Sequence, residues 1–116
     1  MRNYFFIKER NNYIRIDLRA IIYAASMKHH TLIVLEGGAS YTPHISLSRL
    51  AIFFPETEFV RINRDIILSM SKIDTFNAER AIIGKQIFSF SDLGKKQLLK
   101  NAPIAVHKVL STRKKK

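Results

Sequence analysis

The sequence predicts a mainly β domain of antiparallel strands with one or two short helices. Short apolar runs rich in Ile, Val, Phe and Tyr recur at intervals of eight to twelve residues over the first two-thirds of the chain, separated by turn residues. Only two segments change to a helical period. A length of 116 residues with 47% apolar and 25% charged side chains suits one globular domain with one core, not a disordered chain or a coiled coil.

Residues 4–8 and 13–16 read as a hairpin about Asn11-Asn12, since Asn tolerates left-handed turn geometry. After a turn at Asp17-Leu18-Arg19, residues 21–25 form a buried strand, followed by residues 31–35. Gly37-Gly38 turns the chain into residues 40–45, where Pro43 marks a strand end, so the first half reads as a meander.

Residues 46–55 change period: Leu47, Leu50 and Phe54 fall on one face, serines stand ready as caps and Pro55 stops the segment, giving a short helix. Residues 59–62, 66–70, 73–76, 81–83 and 86–90 return to extended structure, with Gly84-Lys85 as a turn. Ser91 opens a second helix, residues 92–100, with Asp92 in the first turn and Lys95, Lys96 and Lys100 beyond it, an order that suits the helix dipole. All four glycines are assigned to turns. The chain thus divides into a domain, residues 1–103, and a basic tail, residues 104–116, expected to be disordered after Leu110.

Twenty Lys and Arg against nine Asp and Glu give a formal net charge of +11, which points to a polyanion. Five of the bases, Lys108, Arg113, Lys114, Lys115 and Lys116, lie in the tail with no acid, leaving the body at +6. Cysteine is absent, so disulfides and thiolate metal sites are excluded. The apolar stretch of the N-terminus ends at Lys8, too early for a signal peptide, and no run is long enough to span a membrane; a cytoplasmic location is expected.

No nucleophile, acid/base pair, P-loop, dinucleotide fingerprint or metal constellation is present, so no enzyme, cofactor or metal site is expected. Adjacent side chains such as His29 and His30 point to opposite faces of an extended segment and cannot easily share a metal. With Lys28 beside them they suit contact with a base edge or a phosphate, or else simple exposure in a loop. In Arg61-Ile62-Asn63-Arg64-Asp65, Arg61 faces away from Val60 and Ile62. Arg can clamp guanine or phosphate and Asn can pair with adenine. Pairing of Arg64 and Asp65 at a turn is the alternative.

Phe59-Val60-Arg61-Ile62-Asn63-Arg64-Asp65-Ile66-Ile67-Leu68-Ser69 resembles the F-x-R-x-H-R-S-y-i-V-N signature of the LytTR-type DNA-binding domain of bacterial transcriptional regulators. Three further matches follow in family order: Ile21-Ile22-Tyr23 before a polar loop, Ser46-Leu47-Ser48-Arg49-Leu50 before an apolar segment, and Phe88-Ser89-Phe90-Ser91 before a basic helix. Together they cover about residues 4–100. The resemblance implies an elongated antiparallel β domain whose loops, not a recognition helix, enter successive grooves of double-stranded DNA. Carried over by position, the DNA contacts are Lys28, His29 and His30, then Arg61, Asn63 and Arg64, then Lys95 and Lys96. The sequence departs from the pattern where Asn63 replaces the signature His, Asp65 the Ser and Ser69 the final Asn, and where Asp92-Leu93 replace basic residues.

The expected function is sequence-specific DNA binding in transcriptional regulation. Asp65, beside a phosphate-binding Arg64, would repel DNA unless it pairs with a base, and could instead position that arginine. Two other classes are weighed against this reading: a diverged domain acting as a protein interaction module, and a small nuclease. Charges scattered over several faces favour the interaction module, and one shared face favours DNA. Regulators of the family often carry a receiver domain, which 116 residues cannot hold as well. The domain is therefore read as acting alone, as controlled by a separate signalling partner or as an excerpt, with Met1 favouring an intact short protein. A homodimer on repeated half-sites is compatible with it.

Overall fold

The computed structural model describes residues 2–105, so the tail bases Lys108, Arg113, Lys114, Lys115 and Lys116, and the expectation of disorder after Leu110, lie outside the described residues. Strands β1 (Tyr4–Glu9) and β2 (Asn12–Asp17) form a hairpin in the register Phe5↔Ile16 and Ile7↔Ile14. Phe5, Ile7 and Ile16 are buried, and a one-residue slip would turn this apolar set to solvent. That constraint outweighs local turn preference. The turn falls on Arg10-Asn11, one residue before the expected Asn11-Asn12, and puts Arg10 at φ 57°.

Asp17 caps a 3-10 turn, Leu18–Ala20, its Oδ1 accepting from the Arg19 backbone N–H at 3.0 Å. Next come β3 (Ile21–Ser26), β4 (Thr31–Leu35) and the two-residue β5 (Ser40–Tyr41). Helix α1 (Leu47–Leu50), capped by Ser46, tightens into a 3-10 turn, Ala51–Phe53, and buries the expected Leu47, Leu50 and Phe54. Strands β6 (Phe59–Asn63) and β7 (Ile66–Ser69) follow, then β8 (Thr75–Phe76), β9 (Arg80–Ile83), β10 (Gln86–Ser89) and helix α2 (Asp92–Asn101). Among the described residues no helix is long and apolar enough to cross a membrane.

The central sheet has the order β5-β4-β3-β7-β6 and a smaller one the order β10-β9-β8, every pair antiparallel. The first half is a meander, but β7 then inserts beside β3 and leaves β6 at the edge. Buried residues form two clusters where one core was expected, because the central sheet is covered on both faces. Strand alternation divides them: Phe59 and Ile67 join Phe5, Ile16 and Leu50 under the hairpin and α1, while Val60, Ile62 and Leu68 join Ala81, Phe88 and Leu98 under the small sheet and α2. The domain is elongated, 64 × 28 × 25 Å, with a radius of gyration of 16.3 Å against about 13 Å for a compact chain of this size.

Gly94 corrects the assignment of every glycine to a turn. It lies inside α2, and a Cβ there would overlap the Ile62 carbonyl of β6. The glycine lets helix and edge strand meet backbone to backbone, and the Ser91 backbone N–H donates to that same carbonyl at 2.8 Å.

Candidate nucleic-acid interface

Antiparallel pairing gathers one set of connections at one end of the central sheet. The end of β3, the start of β4, the end of β5, the end of β6 and the start of β7 all lie there. This loop end holds residues 27–30, residues 42–46 leading into α1, and the turn 63–65. At the other end lie the 3-10 turn after β2, the glycine turn 36–38, the approach to β6 and the turn after β7.

The first segment carries Lys28, His29 and His30. It closes through a bond from the Met27 backbone N–H to the His30 carbonyl at 2.8 Å. Its neighbours hold it on both sides: the Ser26 N–H donates to the Asp65 carbonyl at 2.7 Å, and the His30 ring stacks on His44, centroids 5.6 Å apart. Buried Thr31 fixes the second of these neighbours, its Oγ1 donating to the Ile45 carbonyl at 2.7 Å. Lys28 and His29 are exposed. With His44 and Arg49, these residues line a shallow depression of about 340 Å³.

In the second segment Arg61 shares its strand face with Phe59, on the side of α1. Its Nη1 donates to Ser48 Oγ at 3.0 Å, and its Nε and Nη2 donate to the Arg64 carbonyl. The guanidinium therefore clamps the turn to the start of α1. Asn63 is engaged at both ends of its amide: Nδ2 donates to the Ser89 carbonyl at 3.0 Å, and Oδ1 accepts from the Asp65 N–H at 2.8 Å.

Arg64 differs from both. Its side chain is 88% exposed and forms a two-point pair with the half-exposed Asp65, Nε to Oδ1 and Nη2 to Oδ2, each 3.2 Å. Hydrogen bonding to Asp65, then its charge, raises the guanidinium pKa above its usual value, so Arg64 stays a cation. The carboxylate that would oppose DNA holds the arginine plane instead.

The third segment is joined to the same end through β6. Ser91 Oγ caps α2 by accepting from the Gly94 N–H at 3.0 Å and donates to the Ile62 carbonyl at 3.2 Å, so the first turn of α2 starts beside the turn 63–65. Lys95 is partly buried and Lys96 exposed. Lys96 lies two residues beyond Gly94, on the helix side turned away from β6, and Asp92 precedes both lysines.

The structure therefore brings the three predicted segments to one end and joins them by backbone hydrogen bonds. It gives their side chains unequal freedom: Lys28, His29, Arg64 and Lys96 are exposed, whereas Arg61 and Asn63 brace the turn. Sequence reasoning passed over His44 and Arg49, which enter only because β5 pairs with β4 and carries the chain past residues 27–30.

The sequence model of the LytTr DNA-binding domain family matches residues 11–96. No curated protein matches the chain. Among solved structures, the chain is similar to the LytTr DNA-binding domain of a Bacillus cereus protein described as a methyl-accepting/DNA response regulator, with a TM-score of 0.72 and 14% identity over 90% of this chain and 100% of that one. A likeness at that identity establishes the fold.

Proposed function

The chain belongs to the LytTR DNA-binding domain family, and from that premise we propose that it binds duplex DNA sequence-specifically through its loop end, in the service of transcriptional regulation. The observation that carries the reading is the gathering of Lys28, His29, His30, His44, Arg49 and Arg64 at one end of one sheet, on loops held by each other's backbone. Ordered loops lose little entropy on docking.

In this reading Lys28, Arg49, Lys95 and Lys96 neutralise phosphates, which position the protein without reading sequence. Arg64, oriented by Asp65, reaches a base edge, and the donor and acceptor nitrogens of His29 and His30 serve neighbouring bases. Arg61 and Asn63 act through the turn they hold. The tail supplies sequence-independent attraction, and control falls to a separate signalling partner or to pairing of two copies on repeated half-sites.

Selection of bound sequences from a random duplex pool at two salt concentrations tests the proposal. A defined consensus is expected, with log affinity falling against log salt at a slope near −5 if about six phosphates are neutralised. Equal affinity for random competitor DNA would refute specificity, and a slope near zero would refute the electrostatic part.

A further inference from the structure

We propose that the tip of the β1–β2 hairpin is a fourth DNA contact, in which Arg10, with Lys8 beside it, holds a backbone phosphate flanking the DNA bound by the loop end. The inference rests on the DNA-binding reading and extends it to residues outside the family match, which begins at residue 11.

Position is the first argument. The tip and residues 42–45 line a single open groove of about 1060 Å³ that includes Lys8, Glu9, Arg10, Asn12 and His44. Since His44 stacks on His30, the tip continues the row of segments at the loop end, on the side away from α2.

The second argument is the backbone of Arg10. It is the one non-glycine residue among the described residues with a positive φ. Glycine or asparagine takes such a turn position at little cost, whereas other side chains are strained there. An arginine at an exposed position of a strained turn points to a role for its side chain.

Charge is the third. Among the described residues no carboxylate lies within salt-bridge distance of Lys8 or Arg10. The Lys8 ammonium lies 5.9 Å from the ring centroid of its cross-strand partner Tyr13, and Arg15 stands opposite Phe6 on the same outward face. Glu9 is the one acid of the tip, and it leaves an excess of cations.

The test uses the full chain and a duplex recovered from the random pool, with the variants Arg10→Gly and Lys8→Gln. Each variant should weaken binding on the order of tenfold, reduce the salt slope by about 1 and leave sequence preference unchanged. Glycine suits φ 57°, so thermal unfolding should show no loss of stability in Arg10→Gly. Lys8→Gln leaves the turn itself intact. Wild-type affinity and slope in both variants would overturn the fourth contact while leaving the loop-end reading in place. A changed sequence preference would overturn the assignment to phosphate. A wild-type chain that binds no duplex would overturn both readings.

Discussion

The two ends of the central sheet are built from the same strands and carry opposite charge. At the turns of the loop end Lys28, Arg49, Arg61 and Arg64 outnumber Asp65 and Asp92, whereas at those of the far end Asp17, Glu36, Glu56 and Glu58 outnumber Arg2, Arg19 and Lys72. Their polar side chains differ as well. At the far end Lys72 is drawn into an ion pair with Glu36 at 3.2 Å and a bond to the Arg19 carbonyl at 2.9 Å. At the loop end Arg61 and Asn63 order the backbone while Arg64 projects. A sheet with no net polarity of its own thus acquires a charge direction through what its turns carry.

The largest effect should come from the junction that attaches α2 to the loop end. Gly94→Ala drives a Cβ into the Ile62 carbonyl, and since neither backbone can yield freely, unfolding in urea should show a loss of about 3 kcal/mol. If stability were unchanged, the close approach of α2 to β6 would not be needed.

Arg64→Ala separates binding from folding. Specific affinity should fall by about 1–3 kcal/mol, read by titration against the selected duplex, with relaxed preference at one base position. Thermal stability should barely move, because the pair with Asp65 is exposed. Asn63→Ala should instead cost about 1–2 kcal/mol of stability, since it removes bonds to the Ser89 carbonyl and the Asp65 N–H. A variant that kept full stability but lost sequence preference would move Asn63 from bracing to base contact.

Glu36→Gln at the far end completes the comparison with the smallest change. Stability should fall by at most about 1 kcal/mol, and duplex affinity and salt slope should match the wild type. A large change in either binding property would mean that DNA approaches both ends.

Much of this was readable because alternation reports burial. Val60 and Ile62 opposite Arg61, and Leu47, Leu50 and Phe54 on one face, were placed correctly by period alone, and the family signature marked the turn at Arg64. The hairpin turn was not, because Asn is the better local choice and only the cross-strand fit of Ile7 with Ile14 moves the turn onto Arg10. Gly94 was hidden for a related reason. A glycine required by close approach looks like any other until its neighbour is known, and Ile62 lies 32 residues away in sequence. The bracing role of Arg61 likewise needs Ser48, which a one-dimensional pattern cannot supply.

The closure of β6 by α2 has a consequence for colloidal behaviour. Open sheet edges template pairing with other chains. Here β5 is only two residues long, and the Ile62 carbonyl on the opposite edge already accepts from Ser91. Copies crowded side by side would therefore find little free strand at the edges of the central sheet to extend into a fibre.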